Sequence, residues 1–235
     1  MSRIILTDIE NYDLHADLGV LLCVGWKEVG KKKIHCPGIW DFKGWGSSIW
    51  DDRGLVKHVS EEFADADAFV THYGAPPHGH DIKYLNSKIC QYGFKTLPPA
   101  KQIDVWRLAR SYLKLHSNRQ DSICEFLGTP RKKRPGWQLW KRVLDRDEKA
   151  YEEMKSYCKR DVRGLEENFL KLRPFAKNIP NMNLDKNVPC CANCGSGHII
   201  KRGFHITKVN KYQRFQCQDC GSWSHGNKKG VDLRT

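Results

Sequence analysis

The chain has 235 residues, of which 40% are hydrophobic, enough for one well-buried core and a small second module. Forty Lys and Arg against 27 Asp and Glu leave a formal net charge of +13, which points to an anionic partner. No apolar stretch is long enough to cross a bilayer, and the start, MSRIILTDIE, lacks the apolar core and small-residue cleavage site of a signal peptide. A cytoplasmic protein with no membrane partner is therefore expected.

Residues 3–9 (RIILTDI) and 19–29 (GVLLCVGWKEV) are apolar, β-branched runs that predict strands, with a third near 34–42 after the Lys31–Lys33 turn. Residues 52–65 predict a helix and AFVTHY (68–73) a short buried strand; the loop GAPPHGH then leads into a helix beginning near Asp81. A strand is expected around Ile103, a helix over VWRLARSYLKL, and mostly helix from 119 to 173, broken at Gly128–Pro130 and Pro135–Gly136. Strands first, then strand–helix alternation, then a helical finish predict a mixed α/β sheet with helices on both faces. After Pro174 the periodicity is lost. The expected organisation is a first domain over 1–175, a linker over 176–188 and a small module over 189–235.

Four carboxylates and a tyrosine carry the chemistry of the first domain. Asp8 and Glu10, two apart on a strand, project from the same face. Tyr157 and Asp161, four apart on a late helix, stack about 5–6 Å apart on one face. With the distant Asp81 they supply the hard oxygen ligands that two-metal phosphodiester hydrolysis requires, around Mg²⁺ or Mn²⁺ ions about 3.5–4 Å apart. Such a site uses carboxylates and waters, not thiolates.

Residues 3 to about 175 resemble a DEDD-type 3′→5′ exonuclease domain of the ribonuclease H-like superfold. The likeness is to the Tyr-containing subclass shared by polymerase proofreading domains and RNase D, with Tyr157 where that subclass has its Tyr and Ser156 where the His subclass has its His. The flanks DIENYDLHADLG, ADAFVTHYG, IDVWRLAR, SNRQDSICEFLG and YCKRDVRGLEENFLKLRPF are similar to phage-borne, polymerase-B-like members. The resemblance implies two ions held by Asp8, Glu10, Asp81 and Asp161, Tyr157 positioning the attacking water, and release of nucleoside 5′-monophosphates. Asn11 stands where relatives usually have a Thr that touches the terminal nucleotide, and His80 where they commonly have an aromatic. Asp104 matches an acidic position near the site and is expected to act as a structural hydrogen-bonding residue.

The ten cysteines divide into two groups. Cys23, Cys36, Cys90, Cys124 and Cys158 are scattered among apolar neighbours, as buried free thiols are. Cys191-x-x-Cys194-Gly195 and Cys217-x-x-Cys220-Gly221 are paired knuckles predicting one structural Zn²⁺ in a four-cysteine ribbon, with Cys190 outside the spacing. Between and after the knuckles, Arg202, Lys208, Lys211, Tyr212, Arg214, Phe215 and Trp223 interleave cations with aromatics, a composition suited to single-stranded nucleic acid. The segment resembles zinc ribbons at the start of certain transposases. A basic run of Arg131, Lys132, Lys133 and Arg134, continued by Lys141 and Arg142, suggests a further nucleic-acid path, and Trp40, Trp45 and Trp50 a stacking wall for unpaired bases, with core packing the simpler account of at least one of them.

Taken together these features predict a metal-dependent 3′→5′ exonuclease acting on single-stranded DNA, with Asn11 and the ribbon residues as nucleic-acid contacts. An exoribonuclease, a non-catalytic nucleic-acid-binding protein and an endonuclease of the same superfold are the alternatives.

Overall fold

The computed structural model describes residues 3–129, 135–176, 179, 181, 183 and 188–232, and of 227–232 the backbone alone. It divides into two compact units between Lys171 and Leu172. The basic run Arg131–Arg134 and most of the linker expected at 176–188 lie outside the described residues.

In the larger unit four strands form one mixed sheet: β1 (Ile4–Tyr12), β2 (Val20–Glu28), β3 (Ala68–Thr71) and β4 (Lys101–Asp104), in the order β2-β1-β3-β4. β1 pairs antiparallel with β2 and parallel with β3, which pairs parallel with β4. Ile4, Ile5, Leu6, Val20, Leu21, Leu22, Phe69 and Val70 are all buried. Continuous burial without alternation marks strands covered on both faces. The helices are α1 (Gly44–Ser47), α2 (Arg53–Glu62), α3 (Asp81–Tyr92), α4 (Val105–Tyr112), α5 (Gln120–Leu127), α6 (Gln138–Leu144) and α7 (Glu148–Leu172). The protein is thus mixed α/β.

The third strand expected near 34–42 does not form. His35 and Gly38 make isolated bridges to Trp26 and Cys23 of β2, and Ile39–Asp41 turns into a 3₁₀ segment. The reason is local: the His35 ring stacks on Trp26 with centroids 5.1 Å apart, and the Asp41 carboxylate accepts from the Gly38 amide at 2.9 Å, closing a tight turn.

α7 carries its apolar side chains at helical spacing: Ala150, Met154, Cys158, Val162, Leu165, Phe169 and Leu172 are buried. It lies close over β2 because residue 25 is glycine. A Cβ there would stand 2.7 Å from Cys158 Sγ and 2.9 Å from a Val162 methyl carbon. α5 clamps the other side of α7. Asn168, fully buried, donates to Cys124 Sγ at 3.2 Å and accepts from Thr129 Oγ1 at 2.8 Å.

A buried charge fastens α2 and α3 to β2. Asp52 accepts from the Leu21 amide at 2.7 Å and from Tyr92, and its carboxylate lies 3.2 Å from Lys88 Nζ. Lys88 also donates to the Gly19 carbonyl at 2.7 Å. Every member is satisfied, as burial of both charges requires.

The smaller unit holds a three-stranded antiparallel sheet, β5 (Ile199–Ile206), β6 (Asn210–Cys217) and β7 (Trp223–Asp232), in the order β5-β6-β7.

Replacing Gly25 by Val should force α7 off β2 and lower stability by about 1–3 kcal/mol, the usual cost of overpacking. Equilibrium denaturation checks this; a midpoint unchanged from the parent would show that the close approach is not required.

Candidate metal centres and clefts

The sheet places Asp8 and Glu10 on central strand β1. Leu6 is level with Val70 in the parallel register, so Asp8, two residues on, comes level with His72 just past the end of β3. The β1–β2 register slips between Glu10 and Asn11, a bulge that re-aims the chain beside the carboxylates. Ligand atoms of Asp8, Glu10 and Cys158 lie within 4.8 Å of one another. Asp81 and Asp161 do not belong to this group.

The thiol in that group departs from the all-carboxylate set expected. Cys158 belongs to the buried stripe of α7, and its Sγ donates to the Asp8 carbonyl at 3.8 Å. Hydrogen bonding with Cys23 and Cys36, together with burial, pushes its pKa well above the ordinary thiol value. Cys158 therefore stands there as a neutral packing group.

Asp161 is buried on α7, and its backbone carbonyl accepts from Gln120 Nε2 at 2.9 Å. Tyr157, one turn earlier and 6% exposed, meets Trp140 edge to face at 5.9 Å. Asp81 opens α3 and is buried, with its carboxylate packed over Gly74, where a Cβ would collide with it. Asn11 Oδ1 accepts from His80 Nε2 at 3.0 Å in the tautomer that carries the proton there, and the Asn11 amide donates to the Asp13 carbonyl at 2.5 Å. Burial pulls the His80 pKa down, with Lys83 adding to the effect.

Asp8 opens onto a cleft of about 400 Å³ lined also by His72, Tyr73, Trp106, Arg119, Gln120 and Asp121. A second, of about 290 Å³, shares Tyr73 and Trp106 and adds His78, Asp104, Arg107 and Arg110. The wall between them is the Tyr73–Trp106 pair, edge to face at 5.1 Å, with the Arg110 guanidinium 5.1 Å over the Trp106 ring. Tyr73 sits at φ 58°, a left-handed conformation costly for a bulky residue. Asp104 holds it: one oxygen accepts from the Tyr73 amide at 2.9 Å and from the Trp106 amide at 3.0 Å, so the same carboxylate caps α4. Tyr73, Trp106, Arg110 and Arg119 lie within the flanking segments ADAFVTHYG, IDVWRLAR and SNRQDSICEFLG, but nothing in the sequence singles them out as site residues, because they meet only through this loop and the start of α4.

Other expected contacts are used elsewhere. Trp40 stacks on Tyr151 at 4.4 Å and Trp45 is buried with its indole donating to Tyr151 at 3.0 Å, leaving Trp50, 49% exposed, as the open ring of the three. Arg142 is engaged by Asp147 and Glu153, each at 2.8 Å, so that cation is neutralised within the fold.

In the smaller unit Cys191, Cys194, Cys217 and Cys220 converge, with Sγ pairs 3.7 Å (Cys191–Cys220) and 3.6 Å (Cys194–Cys217) apart. Tetrahedral zinc–sulfur bonds of about 2.3 Å place sulfurs about 3.8 Å apart, so the four can hold a zinc ion. Cys190 stays outside the group. The two knuckles repeat one pattern: Gly195 and Gly221, at φ 76° and 71°, donate to the carbonyls of Cys191 and Cys217, whose own amides donate to Ser196 and Ser222. Arg173, buried, donates to the Ala192 carbonyl at 3.4 Å, and the nearby thiols favour its charge while burial opposes it. Its cation suits a zinc tetrathiolate, which would carry two negative charges.

Residues expected to contact nucleic acid here fall on two faces. Tyr212 and Arg214 share one with His205, Trp223 and His225, by cross-strand pairing. There Arg214 lies 4.7 Å over the Trp223 ring and His205 stacks on His225 at 4.6 Å, above a cleft of about 710 Å³. Lys211 and Phe215 belong to the opposite face, where Lys211 Nζ lies 4.0 Å from the Phe204 ring centroid. Arg202 and Lys208 are exposed.

No protein-family model matches the chain, and no curated protein matches it.

Metal binding at the four cysteines should tighten as pH rises. Burial pushes Cys194 up to about 12 and raises Cys191, so both are protonated near neutrality and must lose protons to bind. For Cys217 burial acts upward too, but the Cys220 and Asp219 amides donating to its sulfur outweigh it and bring it down to about 7. Zinc affinity measured by chelator competition between pH 6 and 8 should rise steeply, and Cys217→Ser should lower zinc content by one equivalent. A flat profile would exclude thiol ligation.

Proposed function

We propose that the larger unit is a ribonuclease H-like, Tyr-type DEDD exonuclease that removes nucleotides from the 3′ end of single-stranded DNA, and that the smaller unit is a zinc ribbon that holds the strand. The observation that carries the reading is the Asp8–Glu10 carboxylate pair on the central strand, of which Asp8 opens into a cleft walled by Tyr73, Trp106 and Arg119. A nuclease needs acidic oxygens for its cations and, beside them, aromatic and cationic groups for the strand.

The carboxylate oxygens of Asp8 and Glu10, within 4.8 Å of each other, fit ligation of hard divalent cations. Asp8, Glu10, Asp81 and Asp161 would hold two Mg²⁺ or Mn²⁺ ions, which when bound supply a deprotonated water and stabilise charge on the leaving 3′ oxygen. Tyr157, by its resemblance to the Tyr of that subclass, would orient the water with its phenol. Gln120, by fixing the Asp161 backbone, keeps α7 registered against the cleft. Tyr73 and Trp106 offer ring surfaces to the terminal bases, and Arg107 and Arg110 offer charge to the phosphates beyond. On the ribbon, Arg214, Trp223, Tyr212 and the His205–His225 stack form the aromatic–cationic face for single strands.

Purified protein incubated with 5′-labelled single-stranded DNA and RNA of one sequence should shorten the DNA from its 3′ end with Mg²⁺ or Mn²⁺ and not with EDTA. Faster shortening of RNA would make it an exoribonuclease; cutting of circular DNA, an endonuclease. Asp8→Ala should lower the rate by at least about 10³-fold, because several kcal/mol of charge stabilisation depend on the cation, while leaving strand binding intact. Full activity of that variant would refute the assignment. A retained gel shift with intact substrate would leave a binding protein.

For the ribbon, Trp223→Ala should weaken single-strand binding by about 1–3 kcal/mol. Arg214→Ala should also reduce the salt slope by about one. Affinities equal to the parent's in both variants would remove the ribbon from the substrate path.

A further inference from the structure

Three cysteines of the larger unit meet although nothing in their sequence spacing brings them together. Cys23 lies in β2, Cys36 in the segment that bridges back onto β2, and Cys158 on α7. Their Sγ atoms are all within 4.8 Å of one another, and the residues are 0%, 8% and 0% exposed. Two features converge them. The bridges Trp26–His35 and Cys23–Gly38 fold residue 36 back over β2. Gly25, two residues from Cys23 and on the same face, leaves the space that Cys158 Sγ enters.

Sulfurs this close fit a single ion. Metal–sulfur bonds of about 2.3 Å place sulfurs about 3.8 Å apart in a tetrahedron and about 4.0 Å apart in a plane. The donor type fixes the class of ion: three thiolates select soft or borderline cations such as Zn²⁺ and Cd²⁺ over Mg²⁺ and Mn²⁺. A fourth donor is at hand in Glu10, the cross-strand partner of Cys23, whose carboxylate shares a group with Cys158. Lys155 and Lys159 set positive charge near Cys36, the trio's only partly accessible member. In the metal-free protein Cys158 donates to the Asp8 carbonyl at 3.8 Å, hydrogen bonds from Cys158 and Cys23 bring the Cys36 pKa down to about 4, and burial keeps the Cys23 thiol well above its ordinary value, so one thiolate sits between two thiols in the core.

We propose that Cys23, Cys36 and Cys158 form a second thiolate site, for a zinc- or cadmium-type divalent cation, distinct from the four cysteines of the smaller unit. The three cysteines and M²⁺ give a tris-thiolate of net charge −1, and binding releases the protons that Cys23 and Cys158 carry, so occupancy rises with pH. The site does not depend on the exonuclease reading.

The test uses the full chain, reduced, stripped of metal with a chelator and titrated with Cd²⁺. The parent should bind two equivalents with thiolate-to-metal absorption in the near ultraviolet. A variant with Ser at 191, 194, 217 and 220 should keep one equivalent, with three sulfur neighbours by X-ray absorption. Adding Cys36→Ser to it should abolish that equivalent, and Cys36→Ala in the parent, with an unchanged thermal midpoint when metal-free, should leave only the ribbon's. One sulfur-bound equivalent in the parent, or none in the four-serine variant, would overturn the proposal without reference to any change at Cys36.

Discussion

The larger unit depends on one close approach, that of α7 to β2 across Gly25. With no side chain at residue 25, Cys158 and Val162 come within van der Waals range of the sheet backbone. This sets the height of the helix over β1, and with it the distance of Tyr157 and Asp161 from the strand that carries Asp8 and Glu10. α5 reinforces the same placement from the far side, through Gln120 to the Asp161 carbonyl and through Cys124 and Asn168. Under the proposed exonuclease reading such a tether would matter, because small displacements of reacting groups are expensive.

Cys158 stands where two donor sets touch. On one side are the hard oxygens of Asp8 and Glu10, on the other the soft sulfurs of Cys23 and Cys36. Were both occupied, the two sets would select different ions by donor softness rather than by distance. The four cysteines of the smaller unit repeat the sulfur chemistry in a different setting: two knuckles with the same backbone pattern, closed by left-handed glycines. There the ion would supply the cohesion that a sheet of three strands with many exposed side chains does not.

Beside Asp8 and Glu10 the surface is shaped by a further carboxylate, occupied by backbone amides. Asp104 accepts two amides through one oxygen, holding Tyr73 in its left-handed conformation and starting α4. Tyr73 and Trp106 thereby form a wall between an acidic cleft and a basic one. Strain of this kind persists where the surrounding structure fixes it, and it tends to collect at functional loops.

The sequence by itself determined most of the elements and the residues that could carry chemistry. Buried runs and helical spacing are local properties, so β1, β2 and α7 were legible, and the Cys-x-x-Cys-Gly spacing was enough to mark the knuckles because each forms within a few residues. The segment at 34–42 was misread as a strand because its composition is apolar, while a stacked His35 and a turn closed by Asp41 decided its shape. Only the tertiary structure decided which distant side chains meet: Cys36 with Cys23 and Cys158, Tyr73 with Trp106, and Tyr212 on a different face from Lys211. These are contacts between residues far apart in the chain or across a pleated sheet. They are set by packing and register, which no short stretch of sequence contains.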